Sequence, residues 1–247
     1  MSPLPSSKLQ QPLLSRKARE FARREEEILS AALECFSGED WESVTVAQIA
    51  DIVGIAKGTM YSHFASKHDI YARLTLDFYS ALLEHLQSAC RGTGVDRMVS
   101  LIEQAFRFYL QQPKYRCVTQ YCEREDFRCK LDPALAAQFD AIDMDFYQLL
   151  HRELALGIDA GVFKPLAIDQ QILGLKCTFH GALTVLWCNR SGEQQHPESF
   201  IRNVTQYMLS PIVVNSSSLH RHSSSQQPKN PNHMLKQEQT LEIASNE

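Results

Sequence analysis

The chain has 247 residues, enough for one large or two small domains, and its 44% hydrophobic and 22% charged residues are ordinary for a globular protein. No apolar run approaches the ~20 residues that a membrane-spanning helix needs, and the N-terminus lacks an apolar signal core, so a cytoplasmic location is expected. The formal net charge is −4, but the charge is unevenly distributed along the chain.

From Met1 to Arg24, six basic residues (Lys8, Arg16, Lys17, Arg19, Arg23 and Arg24) oppose Glu20 alone. Pro3, Pro5, Pro12 and several serines accompany them, so residues 1–23 read as a basic, flexible arm. Such an arm can track phosphates or enter a minor groove, or it can be a solvated leader without a partner. A first helix follows, from about Arg19 to Ser37. Ile28, Leu29, Ala32, Leu33 and Phe36 share one face of it, and Gly38 ends it.

Thr45 to Lys67 reads as two short helices joined by a tight turn, followed by the start of a longer helix. Thr45 is a good N-cap, and Gln48 three residues on completes a capping box. Ile49, Ala50 and Val53 give the first short helix one apolar face. Gly54 stands where a left-handed C-cap belongs, and Ile55 packs into the angle between the helices. The second helix, from Lys57 to Phe64, turns Met60 and Phe64 to the core. Lys57, Thr59, Tyr61 and His63 are expected on its other face. Gly58 costs ~1 kcal/mol of helix propensity and permits close approach of another surface. Ser66 caps the next helix with Asp69 as the boxing acid. Lys67 sits in its first turn, where the helix dipole disfavours a cation and a phosphate would explain it. Two short helices in this arrangement place the second in the major groove of DNA.

These residues carry a resemblance. The segment from about Arg24 to Leu74 resembles the DNA-binding domain of TetR-type (AcrR-like) transcriptional regulators. It does so in the helix Ile28 to Phe36, Thr-Val-x-x-Ile-Ala at Thr45 to Ala50, the Val-Gly-Ile turn, and Gly58-Thr59-Met60-Tyr61 through Phe64 and Lys67. Ala56 departs from the pattern, since the family often has a capping serine there. The resemblance implies that Thr45, Tyr61 and Lys67 hold phosphates and that Thr59 or Lys57 touches base edges. With Gly58 and His63 these form the expected DNA-binding set, within the motif span Thr45 to Phe64.

The next helix runs from Lys67 towards Ala89 with Ile70, Leu74, Phe78 and Leu82 inward, and Arg91-Gly92-Thr93-Gly94 breaks the chain. Met98 to Gln112 is amphipathic and stops at Pro113. Tyr115 to Arg128 is less regularly helical. Asp132 caps a helix with Pro133 at its first position, running to about Gly157. Gly161 to Pro165 is a turn. Asp169 caps a helix reaching about Asn189 that is apolar around most of its circumference and must therefore be buried on nearly all sides. A last helix spans about Pro197 to Leu209. From about Asn215 the chain is rich in Ser, Gln, Asn and His, and it is expected to be disordered.

The expected architecture is all-α. After the arm come a three-helix helix-turn-helix DNA-binding domain (24–90), a C-terminal helical ligand-binding and dimerisation domain (95–212) and a disordered tail (213–247). The resemblance implies that the last two helices pair with those of a second copy, and that a small apolar effector binds inside the second domain. Candidate lining residues are Phe106, Tyr109, Phe146, Tyr147, Phe179, His180, Leu183 and Trp187, although each is more readily read as plain core packing. The seven cysteines include no CxxC pair, which argues against a zinc ribbon or disulfide framework; Cys117, Cys122 and Cys129 are close enough in sequence for a redox sensor, but reduced cysteines packed as small hydrophobes are the reading adopted. His220, His222 and His233 could bind metal only from an untethered tail, so no metal site is expected. No G-x-S-x-G, P-loop or dinucleotide fingerprint occurs, so neither an enzyme nor a cofactor is expected. The function expected is that of a homodimeric, ligand-released repressor on a palindromic double-stranded DNA operator. The alternative is a helical protein-interaction module without DNA activity.

Overall fold

The computed structural model describes residues 15–188 and 196–215. Ten α-helices are formed among them, with one isolated antiparallel bridge, Phe163 to Val213, and no β-strand. The first, α1 (Arg16–Phe36), begins earlier than the sequence suggests. The Ser15 hydroxyl accepts the Ala18 N–H at 3.2 Å, and Arg23 and Arg24 reach Glu27 at 2.5 and 2.7 Å. The basic residues from Arg16 onward therefore lie on a helix rather than on a flexible arm, because a local cap and i,i+3/i+4 pairs favour helix there. Lys8 lies outside the described residues.

A 3-10 turn, Trp41–Ser43, leads to α2 (Val46–Val53), α3 (Lys57–His63) and α4 (Lys67–Ala89). Ile28, Ala32 and Phe36 of α1 meet Ile49, Ala50, Met60, Phe64 and Ile70 in the core of this head. Gly54 takes φ 73°, ψ 36°, a left-handed cap that glycine adopts without a Cβ penalty. The long helix α4 then carries the chain out of the head. Along α4 the second domain is built from α5 (Gly94–Gln111), α6 (Arg116–Cys122), α7 (Glu125–Arg128) and α8 (Pro133–Asp159), completed by α9 (Ile168–Cys188) and α10 (Pro197–Leu209). Helix α4 packs on α8, α6 and α5, while α5 and α9 take α10. Arg107 of α5 forks onto Glu198 of α10 at 2.8 and 3.2 Å and also holds Glu103.

Two further boundaries differ from expectation. Asp169 lies inside the first turn of α9 rather than capping it, and its Oδ1 accepts the Tyr147 hydroxyl at 2.7 Å. The segment after α10 is fixed further than the expected tail start at 213. Val213 is buried, and the Val214 N–H donates to the Val162 carbonyl at 3.0 Å, with Lys164 N–H on Ile212 O at 2.7 Å. The expected end of α9 at Asn189 and the histidines His220, His222 and His233 lie outside the described residues. Gly157 is demanded by packing: a Cβ there would run into the ring of Phe163, buried beneath α8.

Candidate DNA-binding face and effector cavity

The helix-turn-helix geometry begins with two capping boxes. Thr45 Oγ1 accepts the Gln48 N–H at 3.3 Å, while Gln48 Oε1 takes the Thr45 N–H at 2.7 Å and its hydroxyl at 2.9 Å. Ser66 and Asp69 repeat this at the start of α4. The boxes fix the entry angles of α2 and α4, and between them α3 is held with Met60 buried.

Helix α3 exposes Lys57, Gly58, Thr59, Tyr61 and Ser62. The Lys57 ammonium lies 5.9 Å from the Tyr61 ring centroid. A Cβ on Gly58 would meet nothing within 4 Å, so no contact inside the chain requires a glycine at this helical position. Ala56 at the N-cap makes no side-chain cap bond. His63 departs from the expected outward set. Three residues beyond Met60, it turns back towards the core, where its ring stacks on Phe21 of α1 at 4.0 Å and its Nδ1 is enclosed without a hydrogen-bond partner.

Thr45 is exposed, but both of its hydrogen-bond donors are taken by Gln48. Lys67 is half-buried. Its ammonium donates to the Glu42 carbonyl at 2.8 Å and lies 5.7 Å from the centroids of both Phe36 and Tyr71. Desolvation lowers its pKa, with Glu42 opposing. The dipole-disfavoured lysine thus has intramolecular compensation that its sequence position does not reveal.

In the second domain, residues of α4, α5, α7, α8, α9 and α10, with Glu123 just after α6, line a cavity of 380 Å³, towards the lower end of the ~300–1,000 Å³ typical of small-ligand sites. Five of the eight sequence candidates line it: Tyr109, Phe146, Tyr147, Phe179 and His180. Phe106, Leu183 and Trp187 do not. Phe106 is fully buried against Phe179, with centroids 4.3 Å apart; Leu183 is core; and Trp187 packs on Tyr109 at 5.7 Å. Sequence reading missed Tyr79, Glu123, Arg128 and Asp143. The two acids and the arginine come from irregular or exposed-looking stretches, where periodicity gives no sign of a cavity wall.

Glu123, just beyond α6, is a charged group of the cavity wall with two close partners. Its Oε1 accepts the Tyr79 hydroxyl at 3.0 Å and lies 3.3 Å from His180 Nδ1. Desolvation alone would raise its pKa, but His180, Tyr79 and Arg128 together outweigh it, and the carboxyl titrates below its ordinary range. Arg128 is itself committed to Asp143 at 3.0 Å and to the face of Phe139, 4.5 Å from its centroid.

One side of α9 is bare. Leu173, Cys177, Gly181, Thr184, Val185 and Cys188 are exposed along it, and Tyr207 of α10 is 73% exposed. The described residues therefore bury only part of a helix whose sequence asks for nearly all-round cover. No helix among the described residues is long and apolar enough to cross a membrane.

Known proteins bear on these features in two ways. The profile of the family "Bacterial regulatory proteins, tetR family" matches residues 28–74, the helices that build the head. The HTH-type transcriptional repressor KstR2 of Mycolicibacterium smegmatis is 35% identical over 66 residues, which is 27% of this chain and 32% of that protein. The match spans about a third of the length of the curated relatives. Solved structures extend the likeness in fold. A TetR-family transcriptional regulator from Marinobacter aquaeolei VT8 aligns over 83% of this chain and 98% of its own, with a TM-score of 0.61 at 19% identity. RolR in complex with resorcinol aligns over 86% and 98%, with a TM-score of 0.59 at 13% identity. Residues 28–74 are thus similar to the TetR family of bacterial regulatory proteins, and the described residues share the helical fold of these solved structures.

Proposed function

We propose that the protein is a homodimeric transcriptional repressor that binds a palindromic DNA operator through α3 and leaves it when a small effector enters the cavity. The observation that carries this reading is the outward face of α3, where Lys57, Gly58, Thr59 and Tyr61 are exposed on a helix pinned between two capping boxes. A glycine that no internal contact requires is accounted for if another surface must approach the backbone there. Lys57 and Thr59 are assigned to base edges, and Tyr61, Thr45 and Lys67 to phosphates. Lys67 would leave the Glu42 carbonyl to reach one.

A single α3 reads only a short half-site, and two-fold pairing supplies the second. The bare face of α9 with Tyr207 is the surface that a second copy would cover. The resorcinol bound by RolR supports a small-molecule role for the corresponding domain. An effector releases DNA only if it binds the DNA-free arrangement more tightly.

The test is a gel shift of the purified chain on DNA from its own upstream region, with nonspecific competitor, across a salt series. A competitor-resistant shift that weakens steeply with salt is expected. Binding with no salt dependence, or none at any salt, would instead favour a protein-docking module.

A further inference from the structure

The cavity's polar chemistry points to the class of its ligand; this inference rests on reading the cavity as an effector site. Glu123 is placed unusually. It follows the last turn of α6, where the helix dipole disfavours an acid. Both of its partners, Tyr79 and His180, converge on Oε1. Among the described residues none hydrogen-bonds Oε2. The side chain is 38% exposed, and it forms part of the cavity lining.

The other charged groups in the wall do not offset it equally. Arg128 and Asp143 neutralise each other, and Arg128 is additionally stacked on Phe139. Lys176 is exposed to solvent at the rim. An anion entering the cavity would therefore find its cations committed or solvated, and would meet the Glu123 carboxylate. A cation would find one open carboxylate oxygen and the rings of Tyr79, Tyr109, Phe146 and Phe179 around the same space. Aromatic faces attract cations through their quadrupole, and this attraction grows where water is excluded. The remainder of the wall is aliphatic, including Leu82, Leu86, Ile102 and Met208, and suits an apolar body.

We infer that the effector is a small amphipathic organic amine, bound as its cation with the ammonium donating to Glu123 Oε2 and the apolar body lying along α5 and α8. Recognition divides accordingly: the aliphatic wall sets affinity for the body, and Glu123 selects the charge.

The experiment uses the full chain and a matched probe set of phenylalkylamines with one to four methylenes, together with the alcohols and carboxylates of the same lengths. Affinities are read by calorimetry and thermal shift. The expected result is that the best amine binds at least about tenfold tighter than its alcohol, the fold-change a charge-assisted hydrogen bond supplies, and that the carboxylate binds weakest. Glu123→Gln should bring the amine down to the alcohol's level while leaving the alcohol unchanged, and Glu123→Asp should keep the preference. If alcohols bind as tightly as amines, or carboxylates bind better, the cavity stands as a ligand site and the amine assignment falls. If no probe of any length binds, both fall. Should Glu123→Gln fail to fold, the ranking of the three probe classes on the unsubstituted chain decides.

Discussion

The ring of Tyr121 on α6 meets Trp41 of the N-terminal head edge-on, with centroids 5.6 Å apart, two residues before Glu123 in the cavity wall. Tyr121 also lies 4.8 Å from Tyr71, which stacks on Phe36 at 4.0 Å. One short helix therefore touches the cavity at its end and the aromatic seam of the head on its flank. Lys114, just before α6, adds an ion pair to Glu34 of α1.

This seam should be energetically coupled. In a double-mutant cycle with Trp41→Leu and Tyr121→Leu, urea unfolding should give an interaction energy of about 0.5–1.5 kcal/mol, the range for edge-to-face aromatic pairs. Additive losses would mean that the two rings are neighbours without coupling.

Lys67 is expected to have two roles. Lys67→Ala should weaken operator binding on all sequences alike and lower the salt slope by about 1 if the ammonium transfers to a phosphate. It should also cost ~1 kcal/mol of stability without DNA, because the cation leaves the rings of Phe36 and Tyr71. An unchanged salt slope with reduced stability would assign it to positioning α4 alone.

Gly157→Ala tests close packing in the second domain. Alanine gains ~1 kcal/mol of helix propensity, but its methyl group meets the ring of Phe163. Overpacking of this kind costs about 1–3 kcal/mol, so a lower melting temperature is expected. Adding Phe163→Leu should recover part of it.

His68 should make stability depend on pH. Its pKa is lowered, first by burial and then by Lys130, with Lys67 adding and Asp69 and Asp126 opposing. The folded chain thus binds this proton less readily than the unfolded chain, whose histidine titrates near about 6.5. The contribution is fully present above that value and is lost as pH falls through it. Urea midpoints should decline between about pH 7 and pH 5.5, and His68→Gln should flatten that decline. A variant with the same slope would place the titration elsewhere.

The head was legible in the sequence because its signals are local. A capping box needs only Thr45 and Gln48, a left-handed cap needs only Gly54, and Met60 and Phe64 share a face by helical period. The Asp132 cap with Pro133 was readable for the same reason. The inward turn of His63 and the intramolecular partners of Lys67 were not legible, since nothing near them in sequence announces Phe21, or the Glu42 carbonyl and Phe36.

By itself the sequence determined the helical class, the helix-turn-helix and the aromatic character of the second domain, because period, caps and composition act over a few residues. Only the tertiary structure decided which aromatics line a cavity and which fill the core. Phe106 and Phe179 look alike in sequence, yet one is enclosed and the other faces open space. Tertiary packing also brought Tyr79, Glu123 and His180 together from α4, the end of α6, and α9. A carboxylate's partners depend on contacts between residues far apart in the chain, and no local pattern encodes those contacts.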